Sequence, residues 1–538
     1  MDSNLYTPTQ MPTLTVDTRD AARCRQIIGT LPITNVSASH GTLHALLKGM
    51  RRVPPSAVEY LALLEMAREP LAFLQDSLAA RYAAKPLPAT LEEASVFDRT
   101  VAVWRLVADS YAQVAQLGGG DPAIQKQLAL ICQRCVHYAG RAVIEYYRAH
   151  RALAKGVWFE LHGFFDTAED WGFADQPVDD SVGADGATTT SAATYAAVLL
   201  VDLANPYSRT PRELSWIIRW AHLVATETVV TRPDEEAGGR GYGIDLMQDK
   251  GLLPVDHLTA TPSARLFDTS RLGERVQKLI AQLKNGDNPA SLGLGDDCPV
   301  AQVSRLLIQL YRPWCLAAMP RRFQRNRASG ILPVAYGLES IYFQITGGDF
   351  VQPQHVRTYS RAEVERLWTF RNQIDPTQPL NMHASQLSSA LDTWDIADQS
   401  LNGFRVFRNA AGARVEHGQL LAIKSPGTDE FLLALISWLV MENDGRLQAG
   451  IQILPGPVTG VAVRPTGVGV SVSEQYTRGF FLPAVPTLKE PVSVIVPAGW
   501  YSPGRVIEIY TDRSVSVRLG ELLARGAGFE RCSFSLLT

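Results

Sequence analysis

Cysteine is scarce: the 538 residues hold six, scattered at Cys24, Cys132, Cys135, Cys298, Cys315 and Cys532. That number and that spacing exclude a disulfide framework and point to a reducing, cytoplasmic compartment. An excess of charge of one sign is also missing. Lys and Arg total 51 against 54 Asp and Glu, so a chain-wide polyanion-binding surface is excluded. Any anion site must be local and built from a few clustered arginines. No apolar run approaches the roughly 18–20 residues that a membrane span needs. The nearest, FLLALISWLVM at 431–441, is too short and reads as a buried strand. The opening MDSNLYTPTQMPTLTVDTRD has neither a basic n-region nor an apolar h-region, so no signal peptide is expected. The helical part shows no internal repeat.

What is present is ordinary globular material, 46% hydrophobic and 20% charged, in a chain too long for one core. The hydrophobic period is helical from about 54 to 320. In SAVEYLALLEMAREPLAFLQDSLAARYA, Tyr60, Leu63, Leu64 and Met66 share one side, and the pattern continues past Pro70. Residues 98–116 repeat it. Asp121 followed by Pro122 predicts an N-cap and first helical position, opening a long helix in one or two pieces through GVWFELHGFF. Further helices are expected at 192–203, 211–226, 270–284 and 299–318. The Gly- and Asp-rich stretch 232–257 reads as a loop or small β excursion, and 179–191 as a loop.

After Arg327 the period changes. ILPVAYGLESIYFQI, FRVFR, GQLLAIK, FLLALISWLVM, LQAGIQILP, VTGVAVRP, GVGVSVSE, PVSVIVPA and RVIEIYT are alternating, β-branched and Gly-punctuated. They predict a small antiparallel barrel. The fold class is therefore α+β multidomain: an N-terminal all-α domain, then an antiparallel β-barrel and a β-rich extension. The expected boundaries are a disordered 1–20, a helical 21–318, a barrel at 319–455 and the extension at 456–538. That extension, with a short helix near 519–525, either enlarges the barrel or forms a second one.

At the junction stands MPRRFQRNRASG, with Arg321, Arg322, Arg325 and Arg327 close together; further on comes TWDIADQSLNGFRV. Two patterns emerge, R-x-x-x-R from Arg321 and Arg325, and D-x-S-x-x-G from Asp398, Ser400 and Gly403. An arginine fork matches the O6 and N7 acceptors of a guanine bidentately, and further arginines pair with phosphate or stack on bases. An Asp can accept from guanine N1–H and N2–H₂. A Gly lets the backbone approach where no side chain fits. A bland reading also exists for each: a basic stretch closing a helix, and a β-turn with an Asx bond.

These residues resemble the PilZ family of bacterial cyclic di-GMP receptors. Arg321 and Arg325 match that family's first motif; Asp398, Ser400 and Gly403 match its second. The order FRVF, GQLLAIK, a Trp-containing strand with Trp438, and LQAGIQIL with Gly450 and Ile451 is also similar. The resemblance implies a six-stranded barrel that binds cyclic di-GMP, with Arg321 and Arg325 as main contacts and Arg322 secondary. It further implies a switch in which the ligand orders a flexible junction and re-orients the helical domain. Downstream it implies control of motility, surface attachment or exopolysaccharide in a biofilm. Between the motifs this chain departs from the family by a long insertion at about 347–391, with an S-x-x-E capping pattern at Ser360 and Glu363 and a helix through Arg366, Leu367 and Phe370. Arg357 and Arg361 form a competing four-residue spacing, ranked lower because no strand follows Arg361 directly.

Other candidates carry less. Cys132 and Cys135 with His137 lack a second ligand pair for zinc and a βαβ context for redox work, and read as buried helix cysteines. GGRGYG at 238–243 has no strand before it and no helix after it. His150, His162 and His257 are isolated. Asp166, Glu169 and Asp170 read as helix-surface solvation or capping. Arg148, Arg151 and Lys155 read as a solvated helix face. The expectation is a non-enzymatic receptor that needs no cofactor or metal. Its ligand would be cyclic di-GMP, and it would meet a protein partner through the helical domain, with homo-oligomerisation open and no nucleic-acid or membrane partner. A scaffold whose barrel has lost ligand binding is the alternative. A hydrolase of the same dinucleotide would need a His and acidic metal cluster.

Overall fold

The computed structural model describes residues 17–83, 85–180, 182, 188–233, 241–316, 325–353, 391–409, 412–466 and 475–537. The chain divides into two compact units, residues 1–321 with 440–444 and residues 322–439 with 445–538.

The first unit is helical. Its helices are α1 (Ala21–Gly29), α2 (Val36–Arg52), α3 (Ala57–Ala79), α4 (Leu91–Leu117), α5 (Pro122–Gln125), α6 (Leu128–Arg148), α7 (Val157–Asp170), α8 (Ser191–Leu203), α9 (Pro211–Val224), α10 (Ser270–Lys284) and α11 (Val300–Cys315). Helical structure thus begins before the stretch where the period was read, because α1 and α2 are capped by Asp20 and Asn35. Capping boxes fix the starts of α4, through Thr90 and Glu93, and of α9, through Thr210 and Glu213. Asp121 caps as expected, accepting from Ala123 N, but the helix it opens breaks after one turn. The long run is three helices, not one or two, and His150 at φ 50° and Gly156 at φ 90° turn the chain between α6 and α7. Because α6 ends at Arg148, Arg151 and Lys155 do not share a helix face with it. Arg148 is ion-paired to Asp76 and Glu145, and Arg151 to Asp98, so the expected solvated face is not formed.

Helix α6 is the centre of the unit, flanked by α4, α7 and α8, and most of its side chains are buried. Charge is buried with it: Arg68 pairs with Asp180, and Arg134 binds Glu65 through bonds of 3.0 and 3.1 Å. The helices are accompanied by a two-stranded ladder, β1 (Val178–Asp179) with β2 (Thr188–Thr189), at the ends of the stretch expected to be a loop. The expected β excursion is a four-stranded sheet of β3 (Val229–Thr231), β4 (Tyr242–Asp245), β5 (Leu253–Pro254) and β6 (Ala264–Asp268), in the order β3-β6-β4-β5. Among the described residues no helix is long and apolar enough to cross a membrane.

The second unit holds two barrels. The first contains β7 (Asn326–Arg327), β8 (Ile331–Tyr336), β9 (Asp392–Ser400), β10 (Gly403–Arg408), β11 (Leu420–Lys424), β12 (Phe431–Met441) and β13 (Leu447–Ile453). The order β10-β13-β12-β11-β8-β9 closes on itself through β9–β10, and β7 continues the β8 side of β9. The run ILPVAYGLESIYFQI is not all strand. Gly337 at φ 78° ends β8, and Leu338–Thr346 forms helix α12, whose Ile341 is buried. Trp438 and Gly450 do meet, since a Cβ on Gly450 would lie 2.0 Å from the indole Nε1.

The extension is a closed barrel of its own, β14 (Thr459–Pro465), β15 (Thr477–Leu482), β16 (Ser493–Pro497), β17 (Val506–Tyr510), β18 (Ser514–Gly526) and β19 (Phe529–Leu536), ordered β14-β15-β16-β19-β18-β17. Its interior is packed by Val461, Val463, Val494, Val496, Ile507, Val517 and Leu519. The helix expected at 519–525 is part of β18. Pairing with β17 and β19, with register shifts between Leu519 and Ala524, overrides the helix-forming composition of that segment. The segment GVGVSVSE lies outside the described residues. The two barrels share a hydrophobic seam in which Ile341, Leu420, Ala422 and Leu433 pack with Phe480, Leu482, Ile495 and Phe529. A Cβ on Gly526 would lie 1.9 Å from the Gly418 carbonyl oxygen.

Candidate ligand-binding site

The D-x-S-x-x-G segment is the β9–β10 hairpin. Ser400 pairs with Gly403 across a two-residue turn of Leu401 and Asn402. Ser400 Oγ lies 2.9 Å from Asn402 Oδ1 and 3.2 Å from the Gly403 carbonyl oxygen, so its hydroxyl serves the turn. Gly403 has a packing reason to be glycine: a Cβ there would sit 2.0 Å from the Ile451 carbonyl oxygen on β13. Leu401 at the tip is 81% exposed, so a molecule could reach the hairpin from outside.

Below the turn, Asp398 pairs with Arg405 and Ile396 with Val406. The register shifts between these pairs, so Ala397 has no partner of its own. This bulge re-aims a side chain. Ile396 and Val406 stay on the buried face with Trp394, whereas Asp398 is turned to the face of Arg405. Arg405 Nε stands 2.7 Å from Asp398 Oδ2, and Arg325 Nη1 donates to Oδ1 at 2.9 Å. On the other side of β9, Arg327 of β7 is the register partner of Asp398 and is exposed. One buried carboxylate is therefore paired with two arginines, from β10 and the residue before β7, and a third arginine stands in register with it on β7. That surplus of cation suits an anion with planar acceptor edges.

A second polar cluster stiffens the hairpin from behind. Asp392 pairs with Arg408 and accepts from Tyr336 Oη at 2.8 Å. Tyr336 Oη accepts from Trp394 Nε1 at 2.7 Å, and the Arg408 guanidinium lies 4.7 Å from the Trp394 ring centroid.

Of the sequence-derived site residues, the structure brings Arg325, Asp398, Ser400 and Gly403 together. Arg321 and Arg322 lie outside the described residues, as do Arg357, Arg361 and the expected insertion helix. Arg405 was missed, although a two-residue hairpin read from Ser400 and Gly403 places it opposite Asp398. Arg327 had been seen only as part of a basic stretch.

The remaining candidates resolve as structure. Cys132 and Cys135 are buried, and burial pushes both thiols up. His162 is locked between Tyr195 Oη at 2.9 Å and the Lys250 carbonyl at 2.9 Å. Asp166, Glu169 and Asp170 bring oxygens within 4.8 Å of one another. They are not merely solvated, because Arg265 pairs with Asp166 and Glu169, and Arg232 with Glu169 and Asp170. That group contains no histidine, and it is the only such acidic or His cluster among the described residues.

Comparison with protein families gives two matches. Residues 21–234 match the profile described as "Cyclic-di-GMP receptor FimW, N-terminal domain", and residues 461–537 match the "FimW C-terminal beta-barrel domain". Together they span more than half of the chain; neither covers the first barrel. No curated protein matches the chain.

Proposed function

Because the chain belongs to the FimW family of cyclic di-GMP receptors, we propose that it binds cyclic di-GMP on the β7–β9–β10 face of the first barrel. The observation that supports this placement most strongly is the single carboxylate of Asp398 paired with Arg325 and Arg405, with Arg327 in register on β7. Cyclic di-GMP carries two guanines and two phosphates. In this reading Arg325 leaves Asp398 for a guanine Hoogsteen edge or a phosphate, and Arg321, with Arg322 in support, wraps the other side of the ligand. Asp398, relieved of one arginine, accepts from a guanine N1–H and N2–H₂. Ser400 and Gly403 hold the hairpin in the geometry the ligand meets. Each good bidentate contact is worth about 1–3 kcal/mol.

The chain acts by binding rather than by catalysis. Closure of the Arg321 and Arg325 segment over the ligand re-orients the helical unit, and a protein partner reads that change. Isothermal titration of cyclic di-GMP into the full chain tests the reading, beside Arg321→Ala, Arg325→Ala and Asp398→Ala. Binding by the native chain with at least a tenfold loss in each arginine variant supports it. Absence of binding by the native chain would leave a barrel that serves as a scaffold.

A further inference from the structure

A cavity of about 450 Å³ opens within the helical unit, away from the barrel residues considered so far. Helices α3, α4, α6, α8 and α9 form most of its wall. It lies in the range of about 300–1,000 Å³ typical of small-molecule sites. An inorganic ion would leave most of it to water, at about 30 Å³ per molecule.

Its lining is unusual for a gap between helices. Among the described residues four arginines face it, Arg68, Arg141, Arg148 and Arg219, with two carboxylates, Asp76 and Asp180. Each carboxylate is already shared. Asp76 Oδ1 takes Arg141 at 2.8 Å and Arg148 at 2.9 Å, and Asp180 Oδ1 takes Arg68 together with Arg134. The further acids that hold these arginines, Glu65, Glu145 and Asp297, are not part of the lining. The guanidiniums are thus ion-paired and fixed in advance, and Arg141 and Arg148 share one oxygen of Asp76.

The Arg141 guanidinium lies 4.9 Å from the Trp104 ring centroid, and its Nε is buried without a hydrogen-bond partner. His137, which interacts with the Asp180 carboxylate, and the exposed His222 also line the cavity. Trp104 and Tyr138, almost wholly buried and stacked at 5.6 Å, back the wall behind these arginines.

We propose that this cavity is a second ligand site, for a phosphate-bearing small molecule of about mononucleotide size. The phosphate would sit against Arg141 and Arg148, and the organic part would extend toward the rim at Ser215 and Thr226. Two arginines converging on one point, as Arg141 and Arg148 do at Asp76, suit a tetrahedral anion, and the volume left over suits an organic part of nucleoside size.

The test is calorimetry and thermal unfolding of the full chain with guanosine monophosphate, ribose 5-phosphate, inorganic phosphate, guanosine and citrate. The phosphate esters are expected to bind and raise the unfolding midpoint, inorganic phosphate to bind more weakly, and guanosine and citrate not to bind. Arg141→Met should weaken guanosine monophosphate at least tenfold. Ser215→Trp, at an exposed rim position, should block entry without removing a buried donor, so a fold lost in the first variant does not spoil the test. Arg325→Ala should leave this binding unchanged. The proposal is overturned if no phosphate ester binds, if citrate or guanosine binds as well, if both cavity variants bind normally, or if Arg325→Ala abolishes binding.

Discussion

Asp398 and Arg405 face each other across the β9–β10 hairpin, with Arg405 Nε 2.7 Å from Asp398 Oδ2. The guanidinium is 41% exposed, so the pair contributes little to folding, less than about 1 kcal/mol once solvent screening is counted. Its consequence is for ligand binding. Arg405→Ala should leave the urea midpoint almost unchanged while weakening cyclic di-GMP by about 1–3 kcal/mol in titration. A variant that binds as tightly as the native chain would remove Arg405 from the site.

Gly403 gives the opposite signature. A methyl group there meets the Ile451 carbonyl, so Gly403→Ala should destabilise the second unit by about 1–3 kcal/mol in urea unfolding. Normal stability with lost binding would instead assign the glycine to the ligand.

Asp180 holds two buried arginines, Arg68 and Arg134. Asp180→Asn leaves their charges less compensated. The expected cost is about 3–5 kcal/mol in denaturant unfolding, the range for breaking one partner of a buried pair. A change below about 1 kcal/mol would mean that Glu65 alone neutralises both.

Burial pushes the Asp202 carboxyl up to about 6, against a hydrogen bond from Tyr147 Oη that favours ionisation. A carboxyl raised in the folded state favours folding while it is protonated. Its contribution is complete below the unfolded value near 4 and is lost as pH rises through about 6. Thermal midpoints measured from pH 4 to pH 7 should therefore show a decline that is smaller in Asp202→Asn. Identical profiles would exclude Asp202 as the cause.

Legibility in the sequence followed the locality of the signal. Helix α10 was read at its observed bounds because Leu272, Val276, Leu279 and Leu283 repeat at helical spacing. Strands β11 to β14 were readable from their β-branched runs. The signals that failed depend on distant partners. Residues Leu338 to Thr346 look like a strand until Gly337 breaks the chain, and residues 519–525 look like a helix until β19 pairs with them. The motif residues could be named, and the two-residue hairpin sets Arg405 opposite Asp398, but the bulge at Ala397 that turns Ile396 to the opposite, buried face has no local signature. It exists only in the register of two strands.

The seam between the barrels sets what can be separated. Phe480, Leu482, Ile495 and Phe529 cover apolar side chains of the first barrel, and the backbones meet closely at Gly418 and Gly526. A piece ending at Leu454 would present Leu420, Ala422, Leu433 and Ile341 to water as one adhesive patch. The first barrel therefore depends on its neighbour for solubility, and calorimetry of the second unit should show both barrels melting in one cooperative transition.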